Sequence, residues 1–266
     1  MRQCRAVVGD LARQGEPDAL ALGVVDDVAQ RSGEQAEPER LAHRHRVQRD
    51  GAHQRVVNAL LDHFVELVDR VHGSGAEIIG HGRTSSEMQN DMWEQDEAHL
   101  IREATDAIAA KSGKPPAGWL GPGFGETRVT LDLLKEAGYS YVLDWPADDQ
   151  PFWMATRAGP LLSVPYPVEL NDVTALLHRR HAGREFADMI VNQFETMLAQ
   201  SEKQPLVFAL GLHAYVAGQP FRLHAIRKAL QHCLAHRDAE ERVWPAHPGA
   251  IARHCMQLPA GIVPRA

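Results

Sequence analysis

The run PPAGWLGPGFGETRVTLDLLKEAGYSYVLDWPADDQPFW, residues 115–153, alternates short apolar segments with one amphipathic segment. Its start, AGWLGPG, reads as a short strand broken by Gly121-Pro122-Gly123, since glycine and proline punctuate regular structure. TRVTLDLLKEAG places its leucines at helical spacing and stops on Gly138, and YSYVLDW is again short, apolar and β-prone. Strand, helix and strand within about 30 residues is the unit from which parallel sheets are built.

The same alternation extends in both directions. Upstream, NALLDHFVELVDRVHGSG (58–75) has the stripe of a helix, AEIIGHG (76–82) reads as a buried strand ending on His81, and DMWEQDEAHLIREATDAIAAKSGKPP (91–116) as a helix with Leu100, Ala104, Ala107 and Ile108 inward. Downstream, PLLSVPY (160–166) and PLVFALGLHAY (205–215) read as strands. Helices are expected over 184–201, about 221–236 and at PGAIARHC (248–255), with a last strand near ERVWPA (241–246). The pattern predicts an α/β fold with a largely parallel sheet.

Residues 1–57 differ from the rest. They contain no Phe, Tyr, Trp, Ile, Lys, Asn or Thr, so they bring few large groups to a core. The chain therefore divides into an atypical, poorly ordered segment over 1–57 and one domain over 58–266.

Composition excludes several classes. A formal charge of -7 gives no basic face for phosphates, so nucleic acid is not a partner. No apolar run approaches the roughly 20 residues of a transmembrane helix, and no membrane partner is expected. The three cysteines, Cys4, Cys233 and Cys255, have no CxxC spacing and fit a reducing, cytoplasmic location. No GxSxG, GxGxxG or P-loop is present.

In parallel α/β folds the site forms just beyond the strand C-termini. The residues there are His81 with Thr84, Ser85 and Ser86; Trp119 with its Gly-Pro-Gly turn; Asp144, Trp145, Asp148 and Asp149; Tyr166, Glu169, Asn171 and Asp172; and His213 with Tyr215. Two imidazoles, several carboxylates and aromatic walls suit acid/base hydrolysis, with a carboxylate holding an imidazole in one tautomer. His213, at the end of a continuous apolar strand, and His81 are the candidate catalytic histidines, and Asp144 is the candidate orienting carboxylate. Ser85, Trp119, Trp145 and Tyr215 are the candidate substrate-binding residues. Each has a plainer reading: a histidine bonded to backbone, a capping aspartate, a core tryptophan. His178, His181, His232 and His236 receive no role.

EIIGHGRTSS, the 115–153 run, LLSVPYPVELND and LGLHAYVAGQPFR, in this order, resemble the polysaccharide deacetylase family (NodB homology domain), in particular its allantoinase-like cytosolic branch. The resemblance covers about residues 58–255. It implies a distorted (β/α) barrel and hydrolysis of a carbon–nitrogen amide bond in a small amide or an N-acetylated sugar, with a place in carbohydrate metabolism. Many members hold a divalent metal on an Asp-His-His site, whereas the allantoinase-like branch is held to work without one.

The chain departs from the metal pattern. Four residues after His81, where the family's second histidine stands, is Ser85, and a hydroxyl is a poor zinc ligand beside an imidazole. The family's first-strand aspartate would be Asp26 or Asp27 in GVVDDV, and Gly123 stands where relatives often carry an arginine. The expectation is therefore an amide hydrolase without a cofactor. The alternatives are a metal-dependent sugar N-deacetylase with one divalent metal such as zinc on His81, and a catalytically impaired, ligand-binding barrel. Homo-oligomerisation and the identity of the substrate stay open.

Overall fold

The computed structural model describes residues 73–239 and 243–265. The 1–57 segment with Asp26 and Asp27, and the helix expected over 58–72, lie outside them.

Helix α1, Glu94–Ser112, opens with Glu94, Asp96 and Glu97 against the helix dipole and ends on Gly113 in a left-handed conformation (φ 76°). Strand β1 is Gly118–Trp119, followed by a 3₁₀ turn at Pro122–Phe124. Helix α2 is Thr130–Glu136, β2 Tyr141–Val142, β3 Phe152–Met154 and β4 Leu161–Ser163. A π-helical turn spans Val173–His178. Then come α3 (Gly183–Gln200), α4 (Ala214–Ala217), α5 (Pro220–Ala239) and α6 (Pro248–Gln257).

The sheet order is β1-β2-β4-β3. β1 with β2 and β2 with β4 are parallel, while β3 joins the edge antiparallel to β4. This edge strand, FWM, was not anticipated in the sequence, since its three residues follow a turn and carry no alternation long enough to read. The 76–82 run lies along the other edge through a parallel bridge of Gly80 to Trp119. Gly80 N–H donates to Gly118 O and Leu120 N–H to Gly80 O, both at 2.9 Å.

Side-chain alternation explains why both faces are covered. Trp119, Val142 and Leu161 pack with Leu100, Ile101 and Ala104 of α1 and with Leu133 and Leu134 of α2. Their neighbours Leu120, Tyr141, Leu143 and Leu162 pack with Ile251, Ala252 and Cys255 of α6 on the opposite face. A period of two thus fills two helix layers, as a buried parallel sheet requires. A third core forms between α3 and α5 around Phe186, Ile190, Phe194 and Ile226.

Two glycines are set by close approach. A Cβ on Gly118 would lie 2.0 Å from the Tyr141 ring, and one on Gly80 2.4 Å from the Trp119 ring.

The expected strand 205–215 is not a regular strand. Residues 205–210 run without ladder pairing; Gly211 makes one parallel bridge to Asn171, and Tyr215 already lies in α4. The chain turns helical immediately after His213, whose carbonyl accepts from the N–H groups of Val216 and Ala217.

Candidate active site

Parallel register carries the strand-end residues to one edge of the sheet. His81 follows Gly80, Asp144 lies two residues beyond β2, and Tyr166 follows β4. The Asn171–Gly211 bridge brings Asp172 and His213 together in the same way.

His213 is held by Asp172. The Nδ1 of His213 lies 2.6 Å from Asp172 Oδ1, and Oδ2 of the same carboxylate accepts the N–H groups of His213 at 2.8 Å and Ala217 at 3.1 Å. Asp172 is fully buried, and these three donors satisfy it, which a buried carboxylate requires. An acceptor on Nδ1 fixes the proton there and turns the lone pair of Nε2 outward. The half-exposed Tyr215 stands edge-on to the imidazole at 5.8 Å.

The carboxylate bonded to His213 is therefore Asp172 and not Asp144. Both acids lie just past strand ends, and only the Asn171–Gly211 pairing, invisible in a linear reading, decides which one meets His213. The sequence did show Asp172 in the ELND motif, but no spacing rule separates it from its neighbours.

Asp144 serves a different group. Its Oδ1 accepts the Gly121 N–H at 2.7 Å, and the carbonyl of the same peptide, Leu120 C=O, accepts from His81 Nδ1. One peptide unit thus joins His81 to Asp144. Because a carbonyl can only accept, His81 carries its proton on Nδ1 and leaves Nε2 for other partners.

Asp144 also faces Glu126. Glu126 Oε1 and Asp144 Oδ2 are buried and have no hydrogen-bond partner among the described residues, and the two neighbouring carboxyls disfavour each other's ionisation. Burial, above all, pushes Glu126 up to about 7, opposed by Asp144 and Trp145. Burial and then the charge of Glu126 push Asp144 well above the usual carboxylate range. Trp145 Nε1–H donates to Glu126 Oε2 at 3.0 Å.

This carboxyl pair lines an open cleft of about 980 Å³, with Trp145, Trp93, Phe124 and Met92 among its walls. Phe124 packs on Tyr166 at 5.7 Å, and the Tyr166 hydroxyl accepts from Asn171 Nδ2 at 3.4 Å. Contacts therefore run without a break from the cleft to the segment bearing Asp172 and His213.

Glu97, which sequence reasoning passed over as a helix residue, is fully buried in α1 and accepts from Gln89 Nε2 (2.9 Å), Thr127 Oγ1 (2.6 Å) and the Thr130 hydroxyl. It ties α1 to the loop that presents Glu126. Arg83 fixes the turn after His81 by bonds to Glu87 and, at 2.7 Å, to Glu103 of α1. Ser85 is half-buried in that turn.

Trp119 is not a substrate wall. It is fully buried, edge-on to Tyr139 at 5.4 Å and under Gly80, because β1 points it to the α1–α2 face. Trp145, by contrast, is about 40% exposed in the cleft. Asp148 and Asp149 lie in an exposed turn. Gly123 has φ +60°, a conformation in which an arginine would be strained.

The family's first-strand aspartate, Asp26 or Asp27, lies outside the described residues. The position four residues after His81 is a serine, and among the described residues no group of three His, Cys, Asp or Glu ligand atoms clusters at His81.

No protein-family model matches the chain. A Schizosaccharomyces pombe protein named "Putative polysaccharide deacetylase" is 25% identical over 204 residues, 70% of this chain and 62% of that protein. A Pseudomonas aeruginosa PAO1 structure, "probable Polysaccharide deacetylase", superposes with a TM-score of 0.66 at 25% identity, covering 74% of this chain and 65% of that one. The fold is that of the polysaccharide deacetylase (NodB) family. The structure of "Puue Allantoinase" gives a TM-score of 0.64 at 26% identity over 73% of this chain and 63% of that one. The chain spans less than two thirds of the length of each of these three proteins. Within this NodB-type domain no helix of the described residues is long and apolar enough to cross a membrane.

Proposed function

We propose that this NodB-type domain hydrolyses a carbon–nitrogen amide bond in a small amide or an N-acetylated sugar, with water as nucleophile and His213 as the group that moves the proton. The observation that carries this reading is the Asp172–His213 pair. A buried carboxylate on Nδ1 holds the imidazole in the tautomer whose Nε2 can take a proton.

In the proposed reaction, water oxygen bonds to the carbonyl carbon as its proton passes to His213 Nε2. Asp172 then faces an imidazolium and stabilises it. When the carbon–nitrogen bond breaks, the leaving nitrogen takes that proton from Nε2, and His213 returns to its neutral state. His81, with its Nδ1–H bonded to Leu120 O, presents Nε2 to the same substrate. Polarisation of the carbonyl is assigned to protein donors, a choice supported by Ser85 at the place of a second imidazole. The relatives named for deacetylase and allantoinase activity support the reaction class. The buried thiol of Cys233 supports a cytoplasmic setting.

The test is a panel of allantoin and N-acetylated mono- and oligosaccharides, followed by ring opening or acetate release. His213→Ala and His213→Gln should both lower turnover on the responsive substrate by about 100-fold or more, with unchanged circular dichroism. Near-normal turnover in the glutamine variant would make His213 architectural.

A further inference from the structure

Away from the strand ends, helices α3 and α5 place three ligand-type side chains together. His232 and His236 are four residues apart on α5, so both imidazoles leave the same face one turn apart. Glu195 reaches them from α3. Its Oε1 lies 2.6 Å from His232 Nε2 and 3.4 Å from His236 Nε2. All three ligand atoms fall within 4.8 Å of one another.

We propose that Glu195, His232 and His236 form a binding site for a divalent transition metal of the zinc class, clamping α3 to α5. Two imidazole nitrogens and one carboxylate oxygen suit zinc, which leaves a fourth, water-filled position open. Metal–ligand bonds of about 2.0–2.1 Å in a tetrahedron separate ligand atoms by about 3.3 Å. The two separations from Glu195 bracket that value, and all three atoms lie within 4.8 Å of one another.

The rings are also held in place. Phe194 stands against both, at 6.5 Å from His232 and 5.4 Å from His236, and the two imidazoles contact each other at 5.3 Å. Phe194 itself is fully buried and packs on Phe208, so the aromatic support belongs to the core. Glu195 and His232 are about half-exposed, which gives an ion access from solvent. Among the described residues the ion pairs of Glu195 are with the two imidazoles, which ligation can replace.

The site is independent of the proposed reaction. Its test is zinc titration of the metal-stripped full chain by calorimetry, with thermal unfolding read in parallel. One equivalent of zinc should bind, and at 100 times the dissociation constant the midpoint should rise by about 5–10 °C. His236→Ala and Glu195→Gln should each weaken binding at least tenfold and reduce the thermal shift, whereas His81→Ala should leave both unchanged. Absence of stoichiometric binding, or binding that survives His236→Ala and is lost in His81→Ala, would overturn the proposal. The partly exposed positions of all three side chains make loss of folding in these variants easy to exclude from their metal-free unfolding midpoints.

Discussion

Replacing Glu126 by glutamine removes one of two neighbouring buried carboxyls above the cleft, and the consequence can be followed through pH. Glu126 titrates near 7 in the folded protein instead of the ordinary 4.5, chiefly because it is buried. Between those values the folded chain keeps a proton that the unfolded chain has released. Stability is therefore fullest below about 4.5, falls as pH rises through the window, and levels off above about 7. At about 1.4 kcal/mol per pKa unit the shift sets a ceiling of about 3 kcal/mol. The cleft is open to water, so about 1–2 kcal/mol is the expected size.

Glutamine cannot ionise, and its amide nitrogen can donate to the buried Asp144 Oδ2, which has no hydrogen-bond partner among the described residues. Urea unfolding of both proteins at pH 5, 6, 7 and 8 should give nearly equal stabilities at pH 5 and a growing advantage for Glu126→Gln by pH 8. Some pH dependence should persist, because burial still raises Asp144. Parallel stability curves for the two proteins across this range would refute the upward shift of Glu126.

Other perturbations read other parts of the molecule. Asp172→Asn keeps the size of the group but replaces an acceptor pair with one acceptor and one donor, so it should lower turnover by about 10²–10⁴ while the His213→Gln variant shows no further loss when combined with it. Gly118→Ala would drive a methyl into the Tyr141 ring and should lower the unfolding midpoint strongly, whereas Gly113→Ala, with nothing within 4 Å, should cost only the strain of its left-handed φ, about 1 kcal/mol. Trp119→Ala should destabilise by about 3–5 kcal/mol in urea, as a vacated core position does. An effect confined to substrate binding would instead return Trp119 to the cleft.

The linear sequence determined the elements whose cause is local. Leucine spacing and Gly138 mark α2, the apolar stripe and Gly113 mark α1, and the order of short apolar runs between helices is enough for a parallel α/β plan. The regular β3 edge and the loss of ladder pairing over 205–210 were not legible, because pairing depends on which backbone lies alongside and not on the residues of one strand. The same holds at the candidate site. His81 and His213 stand out as strand-end histidines in the sequence alone. That Asp172 meets His213, while Asp144 reaches Gly121 and Glu126, is decided by hydrogen bonds between groups 41 and 23 residues apart. Burial is the other quantity the sequence lacks: Trp119 and Trp145 are the same residue type at comparable strand ends. β1 holds Trp119 in the core, whereas Trp145, beyond β2, stands at the edge of the cleft, and burial likewise raises Glu126.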